Sequence, residues 1–229
     1  METQGPIERL PTGIRPTQRI EGGSVGGRAL ETMTDDQLVA LSQRGDLEAF
    51  NQLVQRWETS LYRFIRRTVG NPDEARDLCQ EALTRGFQNI ERLRDGSKFR
   101  AWIHHIALNL CRDKFRSQRS RTELRSLDEL SAEELQEATQ DARPLAPDAT
   151  VSRASLSDLL GGALQRLPVD QRTAIVLREY HGFNSEEIGE ITGVPAATVR
   201  TRIFYGLKSM RRSFQERGLS DLEMLQGDE

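Results

Sequence analysis

Apolar residues recur at helical spacing in three consecutive segments of the first half of the chain. These segments run from Phe50 to Ile65, from Ala75 to Ile90 and from Phe99 to Leu110. Spacings of three and four residues place each apolar set on one face of a helix. The turn formers Gly70-Asn71-Pro72 and Asp95-Gly96-Ser97 separate the segments. Three such faces can enclose a core, so this half of the chain predicts a helical domain.

The beginning of the chain lacks this pattern. Residues 1–31 are rich in glycine and proline with scattered charges, which predicts a disordered N-terminal extension. Thr34 then precedes Gln37 by three residues, the spacing of a capping box, so a short helix is expected to run to Gly45. The first helical domain is therefore expected over residues 32–120.

The middle of the chain interrupts the helical pattern. Residues 121–152 are acidic and include Pro144 and Pro147. This composition predicts a flexible linker, with a short helical turn at 127–137.

A second helical domain is expected over residues 153–217. One helix is predicted over 153–166, and Pro168 suits the first turn of the next helix, which Gly182 ends. The last residues, 218–229, are expected to form a tail.

The end of this second domain has the pattern of a helix-turn-helix. Asn184 stands three residues before Glu187 and predicts the cap of a short helix that ends at Gly193. Pro195 then starts a longer basic helix that is expected to reach Gln215. Because no segment shows a convincing strand pattern, we predict an all-α fold of two small helical domains joined by the acidic linker.

Charge is distributed unevenly, although the net charge is only −3. Residues 98–125 carry eight basic and two acidic side chains, whereas residues 126–150 carry one basic and seven acidic side chains. Residues 198–217 are basic again, with six basic side chains and one acidic side chain. A protein that binds DNA alone is usually more basic overall. A net-acidic chain with two small basic faces should bind duplex DNA poorly without a partner.

Several classes of protein are disfavoured. No apolar run could span a bilayer and the N-terminus has no signal-peptide core, so a cytoplasmic protein without membrane insertion is expected. Cys79 and Cys111 match no metal spacing and are expected to be reduced, partly buried thiols. The neighbours His104 and His105 diverge by about 100° on a helix and lack a third ligand, so no metal is expected. Without a P-loop or nucleophile elbow, we expect no catalytic residue and no cofactor.

The last helix carries candidate DNA-binding residues. Its predicted core face consists of Val199, Ile203, Leu207, Met210 and Phe214. Off this face lie Arg200, Thr201, Phe204, Lys208 and Arg211. An exposed aromatic residue among arginines suits a groove-reading helix, since Arg pairs with guanine edges or phosphates and Thr and Phe contact thymine methyls. The alternative is an ordinary solvated charged face.

The helix at 98–119 carries a second candidate set. Helical spacing places one polar face away from the apolar one, and it consists of His105, Asn109, Arg112 and Arg116. Asn can form two hydrogen bonds with a base edge, and arginines can hold phosphates. From the residues alone, a plain polar surface is equally well supported.

Several segments resemble extracytoplasmic-function sigma factors of bacterial RNA polymerase. The start of their region 2 is similar to residues 46–50, and region 2.2, with its Asp-Leu-x-Gln-Glu core, resembles residues 71–81. Regions 2.3 and 2.4 are similar to residues 97–110, and region 4 resembles residues 167–172 and 188–202. Their order around an acidic linker is more specific than any one motif. The linker is too short for the extra domain of the larger sigma factors.

The resemblance implies roles for three sets of residues. The face that docks on the coiled coil of the largest polymerase subunit matches Asp77, Gln80 and Glu81. The pocket that captures a flipped base of the minus-ten element matches the loop from Asp95 to Phe99 together with Asn109. With the polar face of the helix, the expected minus-ten DNA-contacting set is Ser97, Lys98, Phe99, His105, Asn109, Arg112 and Arg116. The residues that read the minus-thirty-five element match Arg200, Thr201 and Phe204. Lys208 and Arg211, further along the same helix, are expected to contact only the phosphates of this element.

The same resemblance implies the partners. They are core RNA polymerase, promoter DNA and, as is typical of the family, a separate anti-sigma protein. The acidic linker matches the segment that passes through the RNA exit path of polymerase, where negative charge could mimic nucleic acid. His104, His105 and Tyr205 depart from the residues common at their positions, which leaves the base preference open.

Two other functions remain open at this point. A helix-turn-helix regulator with an N-terminal sensor domain explains residues 153–217 equally well, but it leaves the basic helix at 98–119 and the acidic linker unexplained. An enzyme with a helical active site would need clustered acidic or histidine side chains on apolar helices, and the sequence has no such cluster.

Overall fold

The computed structural model describes residues 27–128, called here the N-terminal domain, and residues 153–216, called the C-terminal domain. Within these ranges the regular secondary structure is helical, and no helix is long and apolar enough to cross a membrane. The N-terminal domain consists of α1 (Gly27–Glu31), α2 (Asp35–Gln43), α3 (Leu47–Val69), α4 (Pro72–Asn89), two 3-10 turns (Ile90–Arg92 and Gly96–Lys98) and α5 (Phe99–Asp128). The C-terminal domain consists of α6 (Arg153–Gln165), α7 (Val169–Ile175), a π-helical turn (Val176–Tyr180), α8 (Ser185–Thr192) and α9 (Ala196–Gln215).

Side-chain caps define where the helices begin. Thr34 accepts a hydrogen bond from the backbone N–H of Gln37, whose side chain accepts one from the N–H of Thr34, so the predicted capping box starts α2. Asp46 caps α3 and Asn71 caps α4 through backbone N–H groups of the first turn. Each cap pairs donors that a helix otherwise leaves free, so these starts follow from the local sequence.

The three predicted apolar faces form the core of the N-terminal domain. Buried residues on α3, α4 and α5 include Phe50, Leu53, Leu61, Phe64, Ile65, Ala75, Cys79, Ala82, Leu83, Ile103, Ala107 and Leu108. Full burial of a large apolar side chain contributes about 1.5–3 kcal/mol. A β-carbon at Gly86 would lie 2.7 Å from Cδ1 of Ile103, so this glycine lets α4 approach α5 closely.

The N-terminal extension ends earlier than predicted. Helix α1 begins at Gly27, and its Leu30 is buried in the core with 1% exposure. The prediction of disorder is therefore wrong for residues 27–31, because a single buried leucine anchors a helix too short to show a periodic pattern. Residues 1–26 lie outside the described residues.

Helix α5 is longer than predicted. It continues to Asp128, eight residues into the segment predicted as a linker. Arg, Glu and Leu favour helix, so the chain can remain helical after its apolar face has ended. Most of the predicted turn at 127–137, the rest of the linker and the tail at 218–229 lie outside the described residues.

The C-terminal domain packs α7 and α8 against α9. Its buried residues include Ile175, Leu177, Phe183, Ile188, Ile191 and Val199. Gly206 of α9 faces α7, where a β-carbon would lie 2.6 Å from Cδ1 of Ile175. The neighbouring Leu207 is 44% exposed, so its assignment to the core face is wrong. The close helix contact at Gly206 turns that side chain outward.

The two domains share one core instead of lying apart. Helix α5 packs on α8, and α3 packs against the π-helical turn. Phe183 is buried at this junction, with its ring 5.2 Å from that of His104 and the guanidinium of Arg100 4.0 Å from its ring centre. Arg172 of α7 is 6% exposed and donates to the carbonyl of Thr68 on α3. The prediction of two domains on a flexible linker does not anticipate this contact.

Candidate nucleic-acid interface

Residues 184–216 form the predicted helix-turn-helix. Asn184 and Glu187 make the reciprocal capping box of α8, with distances of 2.9 Å and 2.7 Å. Gly193 ends α8 in the left-handed conformation at φ 76°, which glycine adopts without strain. A β-carbon at Gly189 would lie 2.8 Å from the carbonyl oxygen of Val194, so the turn passes close to α8. These constraints fix the direction in which α9 leaves the turn.

Helix α9 presents its predicted DNA-binding residues to solvent. The exposed set comprises Arg200, Thr201, Phe204, Lys208 and Arg211. Phe204 is 62% exposed and its ring lies 5.4 Å from that of Tyr205, which is 54% exposed. The ion pair between Arg200 and Glu186 is 3.5 Å long with both side chains mostly exposed, so it restrains Arg200 only weakly.

On α5, two of the predicted minus-ten residues, His105 and Arg112, form hydrogen bonds with α8. The amide of Asn109 donates to Nε2 of His105 at 3.0 Å, and Nδ1 of His105 lies 2.7 Å from the carbonyl oxygen of Ile191. This pattern places a ring proton on Nδ1. Arg112 donates to the carbonyl of Thr192 at 3.3 Å. Arg116, in contrast, is exposed and lies 3.7 Å from Asp113. The structure thus brings His105, Asn109 and Arg112 together at the contact with α8 and leaves them half-buried.

The three candidate minus-ten residues of the loop before α5 lie in different environments. Asp95 accepts hydrogen bonds from the backbone and the hydroxyl of Ser97, at 3.1 Å and 2.5 Å. Lys98 forms a 2.8 Å ion pair with Glu190 of α8. Phe99 is only 1% exposed, so its prediction as a DNA-contacting side chain is wrong. Phe99 belongs to the core because it is the first residue of the apolar face of α5.

The candidate polymerase-binding residues form an exposed face of α4. Asp77, Gln80 and Glu81 are open to solvent, while Cys79 and Ala82 of the same helix are buried. Glu81 forms a 2.7 Å ion pair with Arg85 one turn further along. The face is therefore polar and backed by a rigid core.

Two buried imidazoles lie between the domains, and the sequence analysis missed them. The rings of His104 and His181 are 5.2 Å apart. Burial, reinforced by nearby positive charge, lowers the pKa of His104 to about 3 and that of His181 to about 4. Nδ1 of His104 lies 2.7 Å from the carbonyl oxygen of Arg100, and Nδ1 of His181 lies 3.2 Å from the hydroxyl of Ser60. Both imidazoles are consequently neutral at pH 7.

A second periodic pattern on α5 could have revealed His104. Leu108 and Cys111 follow it by four and seven residues, and all three are buried. The two free cysteines are buried as well, and burial raises the pKa of each thiol to about 12. In the described parts of the chain, no group of three metal-ligating side chains occurs.

Comparison with known proteins identifies the family to which this two-domain helical protein belongs. The model of Sigma-70 region 2 matches residues 53–121, and that of Sigma-70, region 4 matches residues 157–210. The chain is 31% identical to the ECF RNA polymerase sigma-E factor of Haemophilus influenzae over 185 residues, which cover 81% of this chain and 97% of the relative.

Two solved structures have the same fold. The structure of CnrH in complex with the cytosolic domain of CnrY matches with a TM-score of 0.58 and 21% identity, covering 80% of this chain and 97% of that one. The sigma factor RpoE of Bartonella quintana in complex with the anti-sigma factor NepR matches with a TM-score of 0.55 and 23% identity. The second match covers 74% of this chain and 98% of that one.

The chain therefore belongs to the sigma-70 family of RNA polymerase sigma factors, among those of the extracytoplasmic-function type. As a sigma factor it directs polymerase to promoters and takes part in transcription initiation. The alternative of a regulator with an N-terminal sensor domain is not favoured, because region 2 occupies the place of that sensor.

Proposed function

We propose that α9 reads the minus-thirty-five element, α5 and its preceding loop engage the minus-ten element, and α4 docks on core polymerase. The observation that carries this proposal is the exposed first half of α9. Arg200, Thr201 and Phe204 point away from the domain, while Val199 and Gly206 of the same helix are buried. The residues near the start of such a helix reach base edges when it enters the major groove.

Arg200 and Arg211 are expected to have different roles on α9. Arg200 can pair bidentately with a guanine, a contact worth about 1–3 kcal/mol of discrimination. Thr201 and Phe204 offer apolar contacts for thymine methyl groups. Lys208 and Arg211 lie two to three turns further along and should reach only phosphates, which carry no sequence information.

A promoter library tests this division of roles. Purified core polymerase with wild-type chain, Arg200→Ala or Arg211→Ala would transcribe a library of upstream elements, and the transcripts would be sequenced. We expect relaxed base preference only with Arg200→Ala, and a uniform decrease across promoters with Arg211→Ala. Equal, sequence-independent losses in both variants would make this face a phosphate clamp and would refute the proposed readout.

The proposed minus-ten residues of α5 can contact DNA only after the packing of α5 against α8 has changed. His105, Asn109 and Arg112 contact α8 or one another, and DNA cannot occupy the same space. We propose that binding to polymerase separates α5 from α8 and frees these residues. Ser97, Lys98 and Arg116 are already exposed and complete the proposed DNA-contacting set.

Asp77, Gln80 and Glu81 are proposed to contact the largest subunit of core polymerase, because they form an exposed polar face on a rigid helix. An anti-sigma protein is the proposed regulator, as one of the similar structures pairs a sigma factor with such an inhibitor. The proposed place of action is the cytoplasm, where polymerase and promoter DNA meet. The chain then supplies specificity to polymerase and no catalytic step of its own.

A further inference from the structure

A cleft of about 410 Å³ lies between α3 and the π-helical turn of the C-terminal domain. One wall is formed by α3, with Arg56, Arg63 and Arg67, and the other by Tyr180 and His181. Among the residues that the structure describes, no carboxylate lines this cleft. None of the roles assigned above to α4, α5 or α9 uses it.

The three arginines are engaged to different degrees. Arg56 is paired with Asp35 and also donates to backbone carbonyls, so it is committed to holding α2 against α3. The guanidinium of Arg67 lies 4.1 Å from the ring centre of Tyr180, and one of its nitrogens donates a 3.5 Å hydrogen bond to the carbonyl of Arg63. Arg63 is exposed, and no hydrogen bond or ion pair engages its guanidinium within the described ranges.

No acidic side chain among the described residues that line the cleft balances the positive charge of its arginines. Burial lowers the pKa of His181, and the charges of Arg67, Arg100 and Arg63 lower it further, to about 4. His181 therefore stays neutral at pH 7 and adds no charge of its own to that of the arginines. An anion placed in the cleft would be attracted by the guanidinium groups of Arg63 and Arg67, which line it.

We propose that this cleft binds a small phosphate anion, either free or carried by a nucleotide. Guanidinium groups bind phosphate oxygens through paired, charge-assisted hydrogen bonds. Arg63 has all of its donors available for this, and Arg67 has those that do not bond to the carbonyl of Arg63. Thr59 adds a hydroxyl group on the same wall, while the hydroxyl of Ser60 lies 3.2 Å from Nδ1 of His181. The cavity volume is within the range of small-molecule sites.

An anion bound in this cleft would also join the two domains. Because its walls come from α3 and from the C-terminal domain, the cleft exists only while the domains are packed together. A ligand that binds one arrangement better shifts the population toward it. Phosphate binding is therefore expected to favour the arrangement in which α8 bonds to His105 and Arg112. This last consequence rests on the proposed role of α5, whereas the binding site itself does not.

Calorimetry on the full chain tests the site. Inorganic pyrophosphate and a nucleoside diphosphate would be titrated separately into wild type, Arg63→Gln and Arg44→Gln. Arg44 is an exposed arginine outside the cleft, so its variant removes the same charge elsewhere. We expect binding to weaken about tenfold or more in Arg63→Gln and to stay unchanged in Arg44→Gln. Equal weakening in both variants, or no binding of either probe to wild type, would overturn the proposal.

The two probes distinguish the sources of the phosphate. Tighter binding of the nucleoside diphosphate would assign the site to nucleotides, and equal affinity would assign it to free phosphate anions. A further variant would change the seven acidic residues between Ser126 and Thr150 to amides. If pyrophosphate bound only to that variant, the acidic segment of the chain itself would be the occupant of the cleft in wild type. This result would contradict the proposal.

Fluorescence energy transfer tests the coupling between the domains. Dyes would be attached to Glu48→Cys on α3 and Gln215→Cys on α9, both exposed positions. Cys79 and Cys111 should remain unlabelled, because burial raises their thiol pKa to about 12. Pyrophosphate is expected to increase the compact population in wild type but not with Arg63→Gln. If pyrophosphate bound without any change in energy transfer, the coupling between the domains would be refuted, while the binding site itself would stand.

Discussion

Nδ1 of His105 lies 2.7 Å from the carbonyl oxygen of Ile191, which joins α5 of the N-terminal domain to α8 of the helix-turn-helix. The neighbouring contacts, Lys98 with Glu190 and Arg112 with Thr192, join the same two helices. The face of α5 proposed to engage the minus-ten element is thus the face that α8 covers. Contact with α8 and the proposed contact with promoter DNA would exclude each other, because both would require the same side chains.

Charge reversal on α4 should weaken polymerase binding without unfolding the chain. Asp77→Lys with Glu81→Lys is expected to reduce affinity for core polymerase at least about tenfold, because it opposes the proposed contact with like charge. Fluorescence anisotropy with labelled sigma factor would measure the affinity. Glu48→Lys with Glu91→Lys makes the same charge change at other exposed positions and is expected to bind normally. Unchanged affinity of the α4 variant would remove polymerase docking from this face.

Arg172 should be essential for stability rather than for recognition. It is 6% exposed and donates to the carbonyl oxygens of Thr68, Gln165 and Leu167. Lysine keeps the charge but lacks the planar fork, so Arg172→Lys is expected to lower the free energy of unfolding by about 2–4 kcal/mol. Urea denaturation would measure the loss, with the exposed Arg178→Lys as the control. A loss equal to that of the control would show that the buried hydrogen bonds contribute little.

Two glycines should differ in their tolerance of a methyl group. A β-carbon at Gly189 would meet the carbonyl oxygen of Val194, a backbone atom, at 2.8 Å. At Gly206 it would meet the terminal methyl of Ile175 at 2.6 Å, and a side-chain end can move. Gly189→Ala is therefore expected to cost about 1–3 kcal/mol, and Gly206→Ala clearly less, since alanine also favours helix.

Chemical denaturation of the full chain would rank these variants. Gly161→Ala on α6 serves as the control because nothing lies within 4 Å of the added atom, and it should leave stability unchanged or slightly raised. A greater loss at Gly206 than at Gly189 would contradict the expected difference between side-chain and backbone obstacles.

The buried histidines should make the protein less stable in acid. His104 has an ordinary pKa of 6.5 when unfolded, and burial lowers it to about 3 in the fold. Below pH 6.5 His104 becomes protonated in the unfolded chain but stays neutral in the folded chain. The free energy of unfolding therefore falls as the pH falls. The expected slope is about 1.4 kcal/mol per pH unit for this residue, and the contribution is fully present above pH 6.5.

A His104→Phe variant isolates this effect. Phenylalanine keeps a ring beside Phe64 and Phe183 but cannot titrate. Urea denaturation at pH 7.5, 6.0 and 5.0 should show a smaller loss of stability in acid for the variant than for wild type. Identical pH profiles would mean that His104 is protonated to the same extent in the folded and unfolded chain.

Local features were predictable from the amino-acid sequence because their causes lie within a few residues. Thr34 with Gln37 and Asn184 with Glu187 start their helices as predicted, since a capping box involves one helical turn. The end of α8 at Gly193 follows from the freedom of glycine to adopt positive φ. The order of the family motifs also gave the family, which the comparisons confirm.

Burial of particular side chains could not be predicted in the same way, because it depends on residues far along the chain. Leu207 repeats at the spacing of a core residue, yet it is exposed because Gly206 takes the contact with α7. Leu30 belongs to no periodic pattern, yet the core covers it. Phe99 was expected beside DNA and lies inside the domain instead.

The sequence by itself determined the helices, their caps, the helix-turn-helix and the family, since these follow from periodicity, local hydrogen bonds and motif order. Only the tertiary structure decided that the two domains pack together, that α8 bonds to His105 and Arg112, and that His104 meets His181. His104 and His181 are separated by 76 intervening residues. Contacts at such separation depend on how whole surfaces fit, and that fit leaves no periodic signal in the chain.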